Sequence, residues 1–111
     1  MESGQLSFGK LLNLMISNST YSKRQFYEKL NIKKAYFYDI LGGRTNPPPE
    51  DKQFEIIRIL KPDDKTRNLF FELAARERNE FPADLKAYLN TVDTNEIRTS
   101  KKYLDFINKI R

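Results

Sequence analysis

With 111 residues, 39% of them hydrophobic and 13% aromatic, and no run of about 18 apolar side chains, the chain has the size of a single domain and lacks the pattern of a membrane-spanning helix. The opening MESGQLSFGK has no basic stretch followed by an apolar run, so no secretory signal is expected, and the lack of cysteine excludes disulfides and thiolate nucleophiles and fits a cytoplasmic setting. The net charge of +5 is unevenly spread: residues 21–46 hold six basic and two acidic side chains, residues 47–90 eight and nine, and residues 91–111 five and three. Such concentrated positive charge points to a polyanionic partner.

In chain order, Phe8, Leu11, Leu12, Met15 and Ile16 recur at i, i+3, i+4, i+7 and i+8, which predicts a first helix over about residues 6–17. Ser22 followed by Gln25 has the spacing of a capping box, so a second helix starts at Lys23. It ends near Leu30, because Asn31 suits a left-handed turn. Ile32 and Phe37 then have the spacing of a hydrophobic staple around an N-cap at Lys33, and a third helix over about 34–41 stops at Gly42-Gly43. In it Phe37, Ile40 and Leu41 share an inner side, which leaves Lys34, Ala35, Tyr38 and Asp39 on the outer or flanking sides. Two helices joined by the tight turn Leu30-Asn31-Ile32-Lys33 read as a helix-turn-helix, whose second helix has the width of a DNA major groove.

After the stiff NPPPED connection, Pro49 opens a fourth helix with Phe54, Ile57 and Leu60 expected inward, and Pro62 ends it. Asp63 caps a fifth carrying Leu69, Phe70, Leu73 and Ala74 inward, and Pro82 opens a sixth whose Leu85, Tyr88 and Leu89 are expected to complete the core. Past the polar break TVDTNE, a last amphipathic segment carries Ile97, Leu104, Ile107 and Ile110 near one face, with Tyr103 and Phe106 beside it. The expected fold is an all-α bundle of five to seven short helices containing the helix-turn-helix. Arg76 and Arg78 are expected to solvate the end of the fifth helix or to pair with Glu72, Glu77 and Glu80.

From Phe8 to Pro47 the order FGKLL, then YSKRQFYEKLNIKKAYFYDILGGRTNP, resembles the lambda-repressor-like (XRE-type) DNA-binding family of bacteria and phages, over roughly residues 6–62. ELAARERNEFPADLKAYL is similar to the extension of many small regulators of this type. The resemblance implies a double-stranded DNA partner. Lys23 would touch the phosphate backbone or a base edge, Lys34, Ala35 and Tyr38 would face the major groove with Lys33 beside them, and Gly42, Gly43, Arg44, Thr45 and Asn46 would run along the phosphates and offer N–H groups to them. The chain departs from the family pattern at Tyr27, usually alanine; Asn31, usually glycine; Lys33, usually a serine-like cap; and Leu41, usually glutamate. Asp39 would repel phosphates unless paired, with Lys34 or Arg44 the available partners.

Without histidine or cysteine the usual proton shuttle, thiolate and imidazole ligands are missing, and no glycine-rich loop precedes Lys-Ser or Lys-Thr. The expectation is a non-enzyme without cofactor or metal: a sequence-specific transcriptional regulator, of repressor type, of a bacterial or mobile-element operon. The alternative is a protein-interaction module on the same scaffold, of antitoxin or antirepressor type. Residues 1–90 are expected to form the DNA-binding domain with its helical extension. Residues 91–111 are expected to form a C-terminal helix that supports a homodimer or else folds back on the domain.

Overall fold

The computed structural model describes residues 5–110, which form eight helices and no strand. These are α1 (Phe8–Ser17), α2 (Lys23–Lys29), α3 (Lys34–Leu41), α4 (Glu50–Leu60), α5 (Asp64–Arg78), α6 (Ala83–Leu89), α7 (Thr94–Arg98) and α8 (Lys101–Ile110). The all-α expectation is met, but the number of helices exceeds five to seven because the last segment divides. Asp93 accepts from the Asn95 N–H and starts α7 inside the polar break, and Ser100 then accepts from the Tyr103 N–H and starts α8.

The helix ends follow local chemistry closely. Ser22 and Gln25 exchange both capping-box hydrogen bonds at the start of α2, at 3.0 and 2.8 Å. Asn31 has φ +60°, the Asn31 N–H donates to Glu28 O and the Ile32 N–H to Tyr27 O, which closes α2 as a Schellman motif. Gly43, at φ +75°, closes α3 in the same way, with the Gly43 N–H donating to Ile40 O and the Arg44 N–H to Asp39 O. Lys33 makes no side-chain cap, as its chemistry dictates, and Asp63 caps α5 by accepting from the Thr66 N–H at 2.8 Å.

The core is centred on α1 and α5. Phe8, Leu11, Leu12, Met15 and Ile16 are all buried, as the periodicity predicts, and they pack with Phe26, Leu30, Phe37, Ile40, Ile56, Phe70, Phe71, Leu73 and Ala74. Helix α1 contacts both α3 and α5, and α2 contacts α3. Gly9 is the point of closest approach between α1 and α3: a Cβ there would collide with the carbonyl oxygens of Ile40 and Leu41. The partners of Phe37 explain the aromatic density of this region, since its ring lies 5.8 Å from Phe26, 5.4 Å from Tyr27 and 5.1 Å from Tyr38 between centroids. Tyr27 therefore fills the space between α2 and α3 that alanine would leave open.

Three inward assignments need correction. In α4 the fully buried positions are Gln53 and Ile56, while Phe54, Ile57 and Leu60 pack only partly against the core; the Gln53 amide is satisfied by donating to Pro48 O at 2.9 Å. In α5 Leu69 faces solvent and Phe71 takes the inner position. In α6 Leu85, Tyr88 and Leu89 are exposed and only Ala83 is buried, so α6 does not complete the core through its apolar face. Helices α7 and α8 bury no residue and contact chiefly each other. No helix among the described residues is long and apolar enough to cross a membrane.

Candidate nucleic-acid interface

The outer surface of α3 collects the predicted residues. Lys33, Lys34 and Ala35 are exposed at its start, and Tyr38, one turn later, is 38% exposed although its ring edge rests on Phe37. The inner side of the same helix is fixed by Phe37 and Ile40, both essentially without solvent contact. Burial of these two residues orients Lys34 and Tyr38 outward, because positions four apart lie on one side of a helix and this side is turned away from the core.

A shallow groove of about 370 Å³ lies beside this surface, lined by Gly9, Lys10 and Asn13 of α1, Lys23 at the start of α2, and Tyr38, Leu41, Gly42 and Arg44. Three cationic side chains from three different elements thus border one depression next to the exposed face of α3. Lys10 was missed in sequence because the charge of residues 1–20 sums to zero; its signal is its place on the polar side of α1, between Gly9 and the apolar pair Leu11-Leu12. Asn13 also lines the groove, and its buried Oδ1 has no hydrogen-bond partner among the described residues.

Arg44 is held rather than free. Its Nε donates to Asp39 Oδ1 at 2.9 Å and its Nη2 to Tyr38 O at 2.8 Å, and the guanidinium lies against Gly42. Of the two partners expected for Asp39, Arg44 is the one found. The pair is about half exposed on both sides, so it neutralises Asp39 at the surface without adding much stability.

The stretch from Gly42 to Asn46 is exposed throughout, but the expected offer of its N–H groups is only partly met. The Gly42, Gly43 and Arg44 N–H groups donate to Tyr38 O, Ile40 O and Asp39 O, so the helix end consumes them. The N–H groups of Thr45 and Asn46 donate to no acceptor among the described residues.

The surroundings brace this arrangement. Lys52 of α4 donates to Leu30 O at 2.8 Å, fixing the end of α2 next to the turn. Arg78 donates to Pro47 O at 2.8 Å and pairs with Glu80, which keeps the connection after Asn46 against α5. The hydrogen bond between Arg78 and Glu80 raises the Arg78 pKa above its ordinary value and lowers that of Glu80. Arg76, by contrast, is exposed at the end of α5. Among the described residues no group of three or more acidic, histidine or cysteine side chains is gathered as a metal site.

No family model, curated protein or solved structure matches the chain.

Proposed function

We propose that this protein is a cytoplasmic, sequence-specific double-stranded DNA-binding regulator that uses α2 and α3 as a lambda-repressor-like helix-turn-helix. Its simplest mode of action is repression by occupying operator DNA of a bacterial or mobile-element operon. The observation that carries the reading is the exposed basic and aromatic outer face of α3, bordered by Lys10, Lys23 and Arg44 and held rigidly from behind by Phe37 and Ile40.

In this reading Lys34 donates to guanine O6 and N7, and the Tyr38 ring meets a thymine methyl group or packs on a sugar. Ala35 leaves room between them for the bases to approach. Lys10, Lys23 and Lys33 neutralise phosphates, Arg44 stands beside them with its charge balanced by Asp39, and the free N–H groups of Thr45 and Asn46 add uncharged phosphate contacts. Nothing in this scheme requires catalysis, a cofactor or a metal.

Selection of bound sequences from random duplexes, followed by titration at several salt concentrations, tests it. Enrichment of one motif is expected, with a salt slope of about −0.9 for each phosphate neutralised. Absence of duplex binding at low salt would overturn the proposal and favour the protein-interaction reading, which draws its own support from the exposed apolar residues of α6 and α8.

A further inference from the structure

Helix α8 divides cleanly along its length. At about 100° per residue, Tyr103, Leu104, Phe106, Ile107 and Ile110 fall within one half of its circumference, and the three lysines, Asp105 and Asn108 fill the other half without exception. Leu104 and Phe106 mark the two edges of the apolar half, about 160° apart, and Ile110 lies near its middle. These three are 47%, 57% and 64% exposed, and the helix has no buried residue. Tyr103 and Ile107, between the edges, are half-buried, and α7 is the helix that α8 chiefly contacts. Since α7 is short and itself buries nothing, it yields this middle strip at little cost.

We propose that α8 lies along an anionic phospholipid surface, with its apolar half sunk among the headgroups and its lysines held at their level. Two observations select this occupant. The first is the width of the apolar half. A helix seated in a protein groove presents a narrower stripe at i, i+3 or i+4 and i+7, whereas a fluid bilayer accepts a whole half-cylinder and covers both of its edges together. The second is charge: on the polar half three lysines stand against one aspartate, and that aspartate, Asp105, is already paired with Lys101 at 3.2 Å. Lys102 and Lys109 flank the Phe106 edge, where their stems can follow the apolar surface while their ammonium groups reach lipid phosphates. A duplex or another polyanion would satisfy these cations but leave the apolar half in water. No residue of α8 lines the groove beside α3, so attachment to lipid and binding of a duplex use different side chains.

The chain has no tryptophan, so Phe106→Trp places a single fluorescent reporter at one edge of the apolar half. With vesicles of phosphatidylcholine and phosphatidylglycerol in equal parts at low salt, co-sedimentation of the full chain and a blue shift of this tryptophan's emission are expected. Affinity should fall roughly tenfold or more on vesicles of phosphatidylcholine alone. It should also fall at least fivefold on the mixed vesicles in Phe106→Ser and in Ile110→Ser, both at exposed positions, with unchanged far-ultraviolet circular dichroism. A chain that does not co-sediment with the mixed vesicles overturns the proposal. Binding that both serine variants retain in full also overturns it, because it would mean adsorption through the basic face of α3, and so does binding without a shift of the tryptophan emission. A monomer–dimer equilibrium abolished by Phe106→Ser, in a chain that ignores the vesicles, would overturn it in favour of a protein partner.

Discussion

Asp39 and Arg44 show how one exposed pair decides what the α3 surface offers a polyanion. Because the pair is half exposed, its removal should change stability by less than about 1 kcal/mol. Its effect on binding should be larger: Asp39→Asn removes the local negative charge and releases Arg44, so duplex affinity at low salt should rise and the salt slope steepen by about one phosphate equivalent, measured by fluorescence anisotropy. Gly9 makes the opposite case, a residue with no charge and a large structural role. Gly9→Ala forces a methyl group against the Ile40 and Leu41 carbonyls, and the separation of α1 and α3 it requires should cost about 1–3 kcal/mol in urea unfolding. Two carboxylates contribute to the loss of stability in acid. The Thr66 backbone N–H holds the Asp63 pKa below the ordinary carboxylate value, and the Arg78 hydrogen bond does the same for Glu80. Their folded values are depressed, so their contribution is fully present above about pH 4 and is lost as the pH falls through the lowered values. The urea midpoint should therefore fall with acidification below about pH 4, and less steeply in Asp63→Ala and in Glu80→Gln.

At the scale of elements, the start of α2 rests on two reciprocal hydrogen bonds between Ser22 and Gln25. Ser22→Ala breaks one directly and unlocks the other, for an expected loss of about 1 kcal/mol and a melting temperature lower by several degrees. Features set by near neighbours in sequence were legible in advance: this box, the Asn31 turn, the buried stripe of α1 and the outward position of Lys34 and Tyr38 all follow from side-chain chemistry within four or five residues. What depends on a distant segment was not. The spacing of Leu85, Tyr88 and Leu89 shows that α6 has an apolar face, but nothing in the spacing says whether the chain itself covers it. Likewise Phe54 and Ile57 in α4 lie only one position from Gln53 and Ile56, and the spacing alone does not say which pair turns fully inward. Thr99 and Ser100 return their hydroxyls to Asn95, Glu96 and Ile97 and so divide a pattern that otherwise reads as one helix. At the candidate interface, Lys10 became visible only when α1, α2 and α3 came together around one groove.

Over the whole molecule, burial falls off toward the C-terminus. The radius of gyration is 16.9 Å and the longest dimension 51 Å, whereas a chain of about 100 residues folded to uniform density has a radius near 13 Å. Residues from α1 to α5, with Ala83 of α6, share one core cluster, and neither α7 nor α8 adds a buried residue to it. Amides in a shared core exchange only when that core opens as a unit, whereas helices without buried contacts open by themselves at little cost. Native-state hydrogen exchange on a dilute, monomeric sample should therefore show α1 and α5 opening with the full unfolding free energy, and α7 and α8 exchanging orders of magnitude faster. Raising the protein concentration should protect α6 and α8 first if a second copy covers them, and should also slow α1 and α5, because global unfolding then requires dissociation. Protection in α8 equal to that of α5 at high dilution would show instead that the C-terminal helices are stabilised within a single chain.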